Sequence, residues 1–213
     1  MPAQSFSNGV GSLMLVRHGE TEGQSSIRYY GRTDIALSEE GRAQMRAAAR
    51  ALGREVFGRV FASNLCRATQ GARIIAGDGA RIVAIEEFAE IDFGNFEGLT
   101  IDEIQRRAPA DFERWQRLRL DAAYRYPGGE SGAEFRTRVK AGMERMFETW
   151  REGRAEFNGT ALLVAHRGVI RVILDHLVET TPAIELGSIH ILECNRGWRA
   201  RALDLTGHLE DAC

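Results

Sequence analysis

Leu13-Met14-Leu15-Val16-Arg17-His18-Gly19-Glu20-Thr21 is the stretch from which the fold can be read. Four consecutive apolar residues with no polar alternation read as a strand buried on both faces, the habit of parallel sheets packed between helices. The run then breaks into polar residues and a glycine. Downstream, Ser38 to Leu52 reads as a helix: Ser38 is placed as N-cap, Ala43, Ala47, Ala48, Ala51 and Leu52 follow a 3.6 period, and Gly53 stops it. Arg59-Val60-Phe61-Ala62 reads as a second strand, with Ser63 as the cap of a helix through Ala68, Ala72 and Ile75. Ile82 to Ile85 reads as a third strand.

Residues 99–126 carry mixed charge and read as two short helices broken near Pro109. Ser131 and Glu134 form a capping box ahead of an amphipathic helix bearing Phe135, Val139, Met143, Met146 and Trp150. Ala161 to Ala165 reads as a buried strand, and Val169 to Val178 as a helix apolar nearly all round. Ile189 to Glu193 and Trp198 to Leu205 read as a late strand pair. Strands alternating with helices predict an α/β domain with a largely parallel sheet. One domain over 1–213 is expected, with residues 1–11 a loose tail and 99–126 a helical subregion.

Composition narrows the function. The chain has 213 residues, 44% hydrophobic and 27% charged, which excludes disordered and collagen-like classes. Lys+Arg 28 against Asp+Glu 30 gives a net charge of −2, so no nucleic-acid partner is expected. Lys140 is the one lysine, so any anion site here uses guanidinium forks. Cys66, Cys194 and Cys213 are widely spaced, with no Cys-x-x-Cys, which predicts a reducing compartment rather than a disulfide framework. No apolar run approaches a membrane span, and Met1 to Gly11 lacks the pattern of a signal peptide. A cytoplasmic location without a membrane partner is expected.

Ligands of open α/β sheets bind beyond the carboxyl ends of strands. Those ends hold Arg17-His18, Ser63 through Arg67, Glu90 a little after the third strand, and His166-Arg167. Arginines grip phosphate by paired hydrogen bonds, each close charge pair being worth about 4 kcal/mol at an effective dielectric near 20, before desolvation. A neutral imidazole attacks phosphorus, and a nearby carboxylic acid protonates a leaving alkoxide. The set points to phosphoryl transfer through a phosphohistidine.

Leu15-Val16-Arg17-His18-Gly19-Glu20-Thr21 resembles the signature of the histidine phosphatase superfamily, the phosphoglycerate mutase-like proteins. The resemblance continues through Gly31 to Gly41, Ser63 to Ala68, Glu90 to Gly98, Pro127 to Ser131 and Val164 to Arg171, in family order. It implies a three-layer sandwich with a mostly parallel central sheet flanked by helices. It also implies that His18 is the nucleophile, that Arg17, Arg67 and His166 hold the phosphoryl group, and that Glu90 is general acid and then base. Neither a metal nor a cofactor is implied. The other nitrogen of His18 should donate to a backbone carbonyl, neighbouring cations should keep the ring neutral, and Glu90 should hold a proton at working pH.

Two positions depart from the family pattern: Gln24 stands where asparagine is frequent, and Arg167 where a small residue is frequent. Gln24, Arg28, Tyr29, Gly31 and Arg167 join Arg17, Arg67 and His166 as expected substrate contacts; Arg167 reads as a surface arginine or as a rim cation preferring an anionic substrate. Tyr29 reads equally as packing against the 99–126 cap. The 28 residues between Gly98 and Pro127 are shorter than the mutase insertion, which favours a phosphatase acting on a small phosphomonoester. Arg28 to Asp34 is similar to the same stretch of α-ribazole phosphatases. Mutase-type transfer, an inactive phosphate-binding scaffold and a metal hydrolase stay as rivals, although the histidines lack zinc spacing. The resemblance allows monomers, a homodimer or tetramers.

Overall fold

A computed structural model describes residues 11–53, 55–152 and 159–212; the expected tail at 1–10 lies outside them. Gly11 already belongs to the first strand. Six strands form one sheet: β1 (Gly11–Arg17), β2 (Arg59–Ser63), β3 (Ile82–Ile85), β4 (Thr160–Ala165), β5 (Ile189–Cys194) and β6 (Trp198–Leu205). Their order is β3-β2-β4-β1-β5-β6. The first four run parallel, while β5 and β6 add an antiparallel edge. The helices are α1 (Glu39–Leu52), α2 (Cys66–Ala76), α3 (Ile101–Arg107), α4 (Pro109–Leu118), α5 (Gly132–Glu152) and α6 (Arg167–Val178).

The period of two along each strand builds two cores. Leu13, Leu15, Phe61 and Leu163 face one way and pack with Val139, Met143 and Met146 of α5 and Ile170 and Ile173 of α6. Met14, Val16, Val60, Leu162 and Val164 face the other way, against Met45 and Ala48 of α1 and Ala68 and Ala72 of α2. Every residue of β4 is buried, as its unbroken apolar run requires. A third, small core joins Phe96, Ile104 and Phe112, with Tyr29, Phe93, Trp115 and Tyr126 packed on it. It carries α3 and α4, which Pro109 separates as expected.

Ser38 caps α1 by accepting from the Gly41 N–H, and the Ser131–Glu134 box opens α5. Two expectations are corrected. Ser63 does not cap α2: β2 runs one residue further to pair Ser63 with Ile85, and α2 starts at Cys66 without a side-chain cap. Nor is the helix after β4 apolar all round. It begins at Arg167, and Arg167, Arg171 and Asp175, four residues apart, form an exposed stripe.

Candidate active site

The neighbouring strands β1, β4 and β2 all end on the same edge, and each delivers a polar group there. Val16 lies opposite Val164 and Ala62 opposite Val164, so the three ends are level. A hydrogen bond from His18 N–H to Ala165 O at 3.0 Å ties β1 to β4 just beyond the last pair. His18 follows β1, His166 follows β4, and Ser63 ends β2 with Arg67 in the first turn of α2.

The imidazoles of His18 and His166 meet edge to face, centroids 5.1 Å apart. His18 Nδ1 lies 2.7 Å from the carbonyl oxygen of Gly19. A carbonyl only accepts, so Nδ1 carries the proton and Nε2 keeps its lone pair. Burial first, then the Arg67 and Arg17 guanidinium charges, hold His18 well below the ordinary histidine value; the Gly19 bond opposes them. His166 is lowered in the same way, by burial, Arg67, His18 and Arg17. Its Nε2 is 2.8 Å from Ser63 Oγ, while its Nδ1 is buried with no partner among the described residues.

Arg17 and Arg67 are fastened by backbone carbonyls. Arg17 donates to Ile184 O at 2.9 Å, and Arg67 to Thr33 O at 2.9 Å and Gly31 O at 2.7 Å. Both Nε atoms are buried without a partner among the described residues, and Arg67 is wholly buried. Burial lowers Arg17 to about 10, so it remains a cation at neutral pH. Unsatisfied buried donors of this kind call for a ligand or water.

The loop that holds Arg67 is itself held by Glu97. That carboxylate accepts from the N–H groups of Gly31, Arg32, Thr33 and Phe93 and from the Thr33 hydroxyl. Gly31 is required by space: a Cβ there would lie 1.8 Å from Ile91 O.

Glu90 Oε1 accepts from Ile91 N–H at 2.9 Å and Oε2 from Gly168 N–H at 2.8 Å, so the first turn of α6 aims the carboxylate. Arg138 of α5 secures the approach to Glu90. It pairs with Glu130 at 2.7 Å and donates to Glu87 O and Ala89 O, each at 2.8 Å.

Arg17, His18, Glu90 and Arg167 line a hollow of about 280 Å3, together with Ser25, Ser26, Arg28 and Tyr29. Arg67 and His166 are fully buried, and the His166 ring meets the His18 ring that lines the hollow. A second chamber of about 380 Å3 shares Tyr29, Glu90, Phe93 and Arg167 with the first and extends toward Trp115, Arg119, Arg136 and Arg171. Tyr29 lines both chambers while packing against Phe93 and Trp115. Arg28 lines the hollow, but its guanidinium pairs with Glu103 of α3 at 2.6 Å and donates to Gly98 O at 2.7 Å. Gln24 is exposed, outside the linings, in a left-handed turn at φ 65°. Gly31 braces Arg67 rather than facing the hollow.

Glu97 and Glu130 fall inside the Glu90–Gly98 and Pro127–Ser131 motifs, which assign them no role, and Ser63 bonds an imidazole rather than capping a helix. Arg138 carried no signal at all, being one of several arginines on α5. Among the described residues, no three His, Cys, Asp or Glu side chains are grouped to hold a metal ion. Among them, no helix is long and apolar enough to cross a membrane.

Comparison with known proteins identifies the family. The profile of the histidine phosphatase superfamily (branch 1) matches residues 13–201. The chain is 32% identical over 162 residues to phosphoserine phosphatase 1 of Hydrogenobacter thermophilus, covering 76% of this chain and 73% of that protein. It is 31% identical over 164 residues to glucosyl-3-phosphoglycerate phosphatase of Mycobacterium tuberculosis, covering 76% and 72%. It spans about half, 54%, of the length of some other curated relatives. The α-ribazole phosphatase of Shigella flexneri shares the fold at a TM-score of 0.78 and 24% identity, over 91% of this chain and 96% of that one. This chain belongs to the histidine phosphatase superfamily.

Proposed function

We propose that the chain is a metal-independent phosphomonoesterase that hydrolyses a small phosphorylated metabolite through a phosphohistidine on His18. One observation carries this: the Nδ1–H bond of His18 to Gly19 O leaves the Nε2 lone pair free in a ring that shares its hollow with Arg17 and Glu90. The substrate phosphoryl group sits against Arg17, with the charge of Arg67 and the ring of His166 behind His18. Nε2 attacks phosphorus; the N–P bond forms as the ester O–P bond breaks. The leaving oxygen takes a proton from the Glu90 carboxyl group. Glu90, now a carboxylate, takes a proton from water; that oxygen attacks phosphorus, the N–P bond breaks, and phosphate leaves with His18 restored. The arginines supply the positive charge that metal ions supply in other phosphoryl-transfer sites.

Membership of the superfamily and relatives named as phosphatases support this reading. The wide spacing of Cys66, Cys194 and Cys213 without a Cys-x-x-Cys motif supports a reducing, cytoplasmic setting. The test is phosphate release from p-nitrophenyl phosphate, with the phosphoprotein trapped by rapid alkaline quench. Wild type is expected to turn over and trap acid-labile phosphate; His18→Ala should do neither. Turnover that survives His18→Ala, or none in wild type, sinks the reading, and the latter outcome favours a phosphate-binding scaffold.

A further inference from the structure

The second chamber carries an excess of cations that the chemistry at His18 does not use. Arg119, Arg136, Arg167 and Arg171 line it, against the carboxylates of Glu90 and Asp121. Two of these arginines have visible occupations. Arg136 pairs with Asp175 at 3.0 Å, and Arg119 lies over the Trp115 ring, 5.4 Å from its centroid. Asp121 already accepts from the Ala123 N–H at 2.9 Å. Arg167 and Arg171 rise from one stripe of α6 into the chamber wall, and among the described residues no carboxylate pairs with either. The cluster is mutually repulsive: after burial, the charges of Arg167 and Arg136 lower Arg171, while Glu90 opposes them. Arg167 also lowers Arg17. Like charges gathered on one concave wall raise the local concentration of an anion.

Position decides what the anion belongs to. Glu90 stands at the junction of the two chambers. If Glu90 protonates the leaving oxygen, the alcohol part of the ester extends from Glu90 into the arginine-lined chamber. We infer that the chamber is a second anion subsite, and that the substrate is a phosphomonoester whose alcohol part bears its own carboxylate or phosphate. Phe93, Trp115 and Tyr126 offer the carbon skeleton an apolar side, and the arginines take the distal charge by forked hydrogen bonds. This inference rests on the phosphatase reading for its orientation.

Non-hydrolysable probes test it apart from turnover. Propylphosphonate and 3-phosphonopropionate have equal chain lengths and differ by one terminal carboxylate; propane-1,3-bisphosphonate carries a second phosphonate instead. In calorimetric titrations of the full chain, at least one doubly charged probe should bind about tenfold or more tightly than propylphosphonate. The better of the two identifies the second group. That advantage should vanish in Arg119→Gln/Arg171→Gln and return in Arg119→Lys/Arg171→Lys, which keeps the charge. Equal binding of all three probes by wild type, no binding of any, or an advantage that survives the glutamine pair overturns the subsite. Hydrolysis of p-nitrophenyl phosphate, whose leaving group has no second anion, reports on the phosphatase reading separately.

Discussion

Gly168 donates its N–H to Glu90 Oε2 at 2.8 Å, and a methyl group on Gly168 would lie 2.3 Å from the other carboxylate oxygen. The missing side chain at the start of α6 therefore sets where the carboxylate stands. Gly168→Ala should displace Glu90 while the fold survives, since alanine is up to about 1 kcal/mol better than glycine inside a helix. A fall in kcat/KM of at least tenfold with an unchanged melting curve is expected. Unaltered turnover would mean that the placement of Glu90 does not matter.

Glu90→Gln keeps the shape and removes the transferable proton. General acid catalysis contributes roughly 100- to 10,000-fold. The loss should be large for an alkyl phosphate, whose alkoxide needs a proton to leave. It should be smaller for p-nitrophenyl phosphate at the step that forms the phosphoenzyme, because nitrophenolate departs unprotonated. Equal first-step losses for both esters, measured by burst kinetics, would remove Glu90 from the acid role.

Glu97 lines neither chamber, yet it gathers the N–H groups that shape the Arg67 loop. Glu97→Gln turns one acceptor oxygen into a donor among donors. Losing hydrogen bonds at this partly exposed carboxylate costs about 0.5–1.5 kcal/mol, and each kcal/mol is worth roughly 2–4 °C in Tm for a chain of this size. Lower Tm and weaker phosphate affinity should appear together, since Gly31 and Thr33 lend their carbonyls to Arg67. Loss of one without the other would uncouple loop from arginine.

His190 sets an acid limit on stability. It is fully buried in β5, and its Nδ1 accepts from the Asp204 N–H at 3.1 Å. Burial lowers it to about 4, against the opposing charge of Asp204. The unfolded chain binds this proton near pH 6.5 and the folded chain only near 4, so stability falls as pH drops through that window. The decline attributable to this ring is of order 3 kcal/mol at the bottom of the window. His190→Gln should flatten the slope of denaturation midpoint against pH between 6.5 and 4. An identical slope would assign the acid sensitivity elsewhere.

Much of this architecture was legible because periodicity speaks for packing. The unbroken run Ala161 to Ala165 announced a strand covered on both faces, and the Ser131–Glu134 spacing announced the start of α5. Ser63 misled because a hydroxyl before a helical pattern reads as a cap, whereas here it serves an imidazole 103 positions away in the chain. Arg17, His18, Glu90 and Arg167 could be grouped because strand ends in an α/β sheet converge. That Arg67 and His166 are wholly buried, that Arg28 pairs with Glu103, and that Arg138 binds the carbonyls just before Glu90 are tertiary facts. No local pattern separates one arginine of α5 from the next.

Trp115, Arg119 and Leu120 belong to the segment between Gly98 and Pro127, whose helices rest on the small core of Phe96, Ile104 and Phe112. His18, the proposed nucleophile, belongs to a different stretch, just past the end of β1. On the proposed reading, Trp115 and Arg119 of the ester-selecting wall are thus carried apart in sequence from the nucleophile, while Arg136, Arg167 and Arg171 of the same wall come from α5 and α6. Substitutions at Trp115 and Arg119 would redraw that part of the wall and leave the end of β1 as it is.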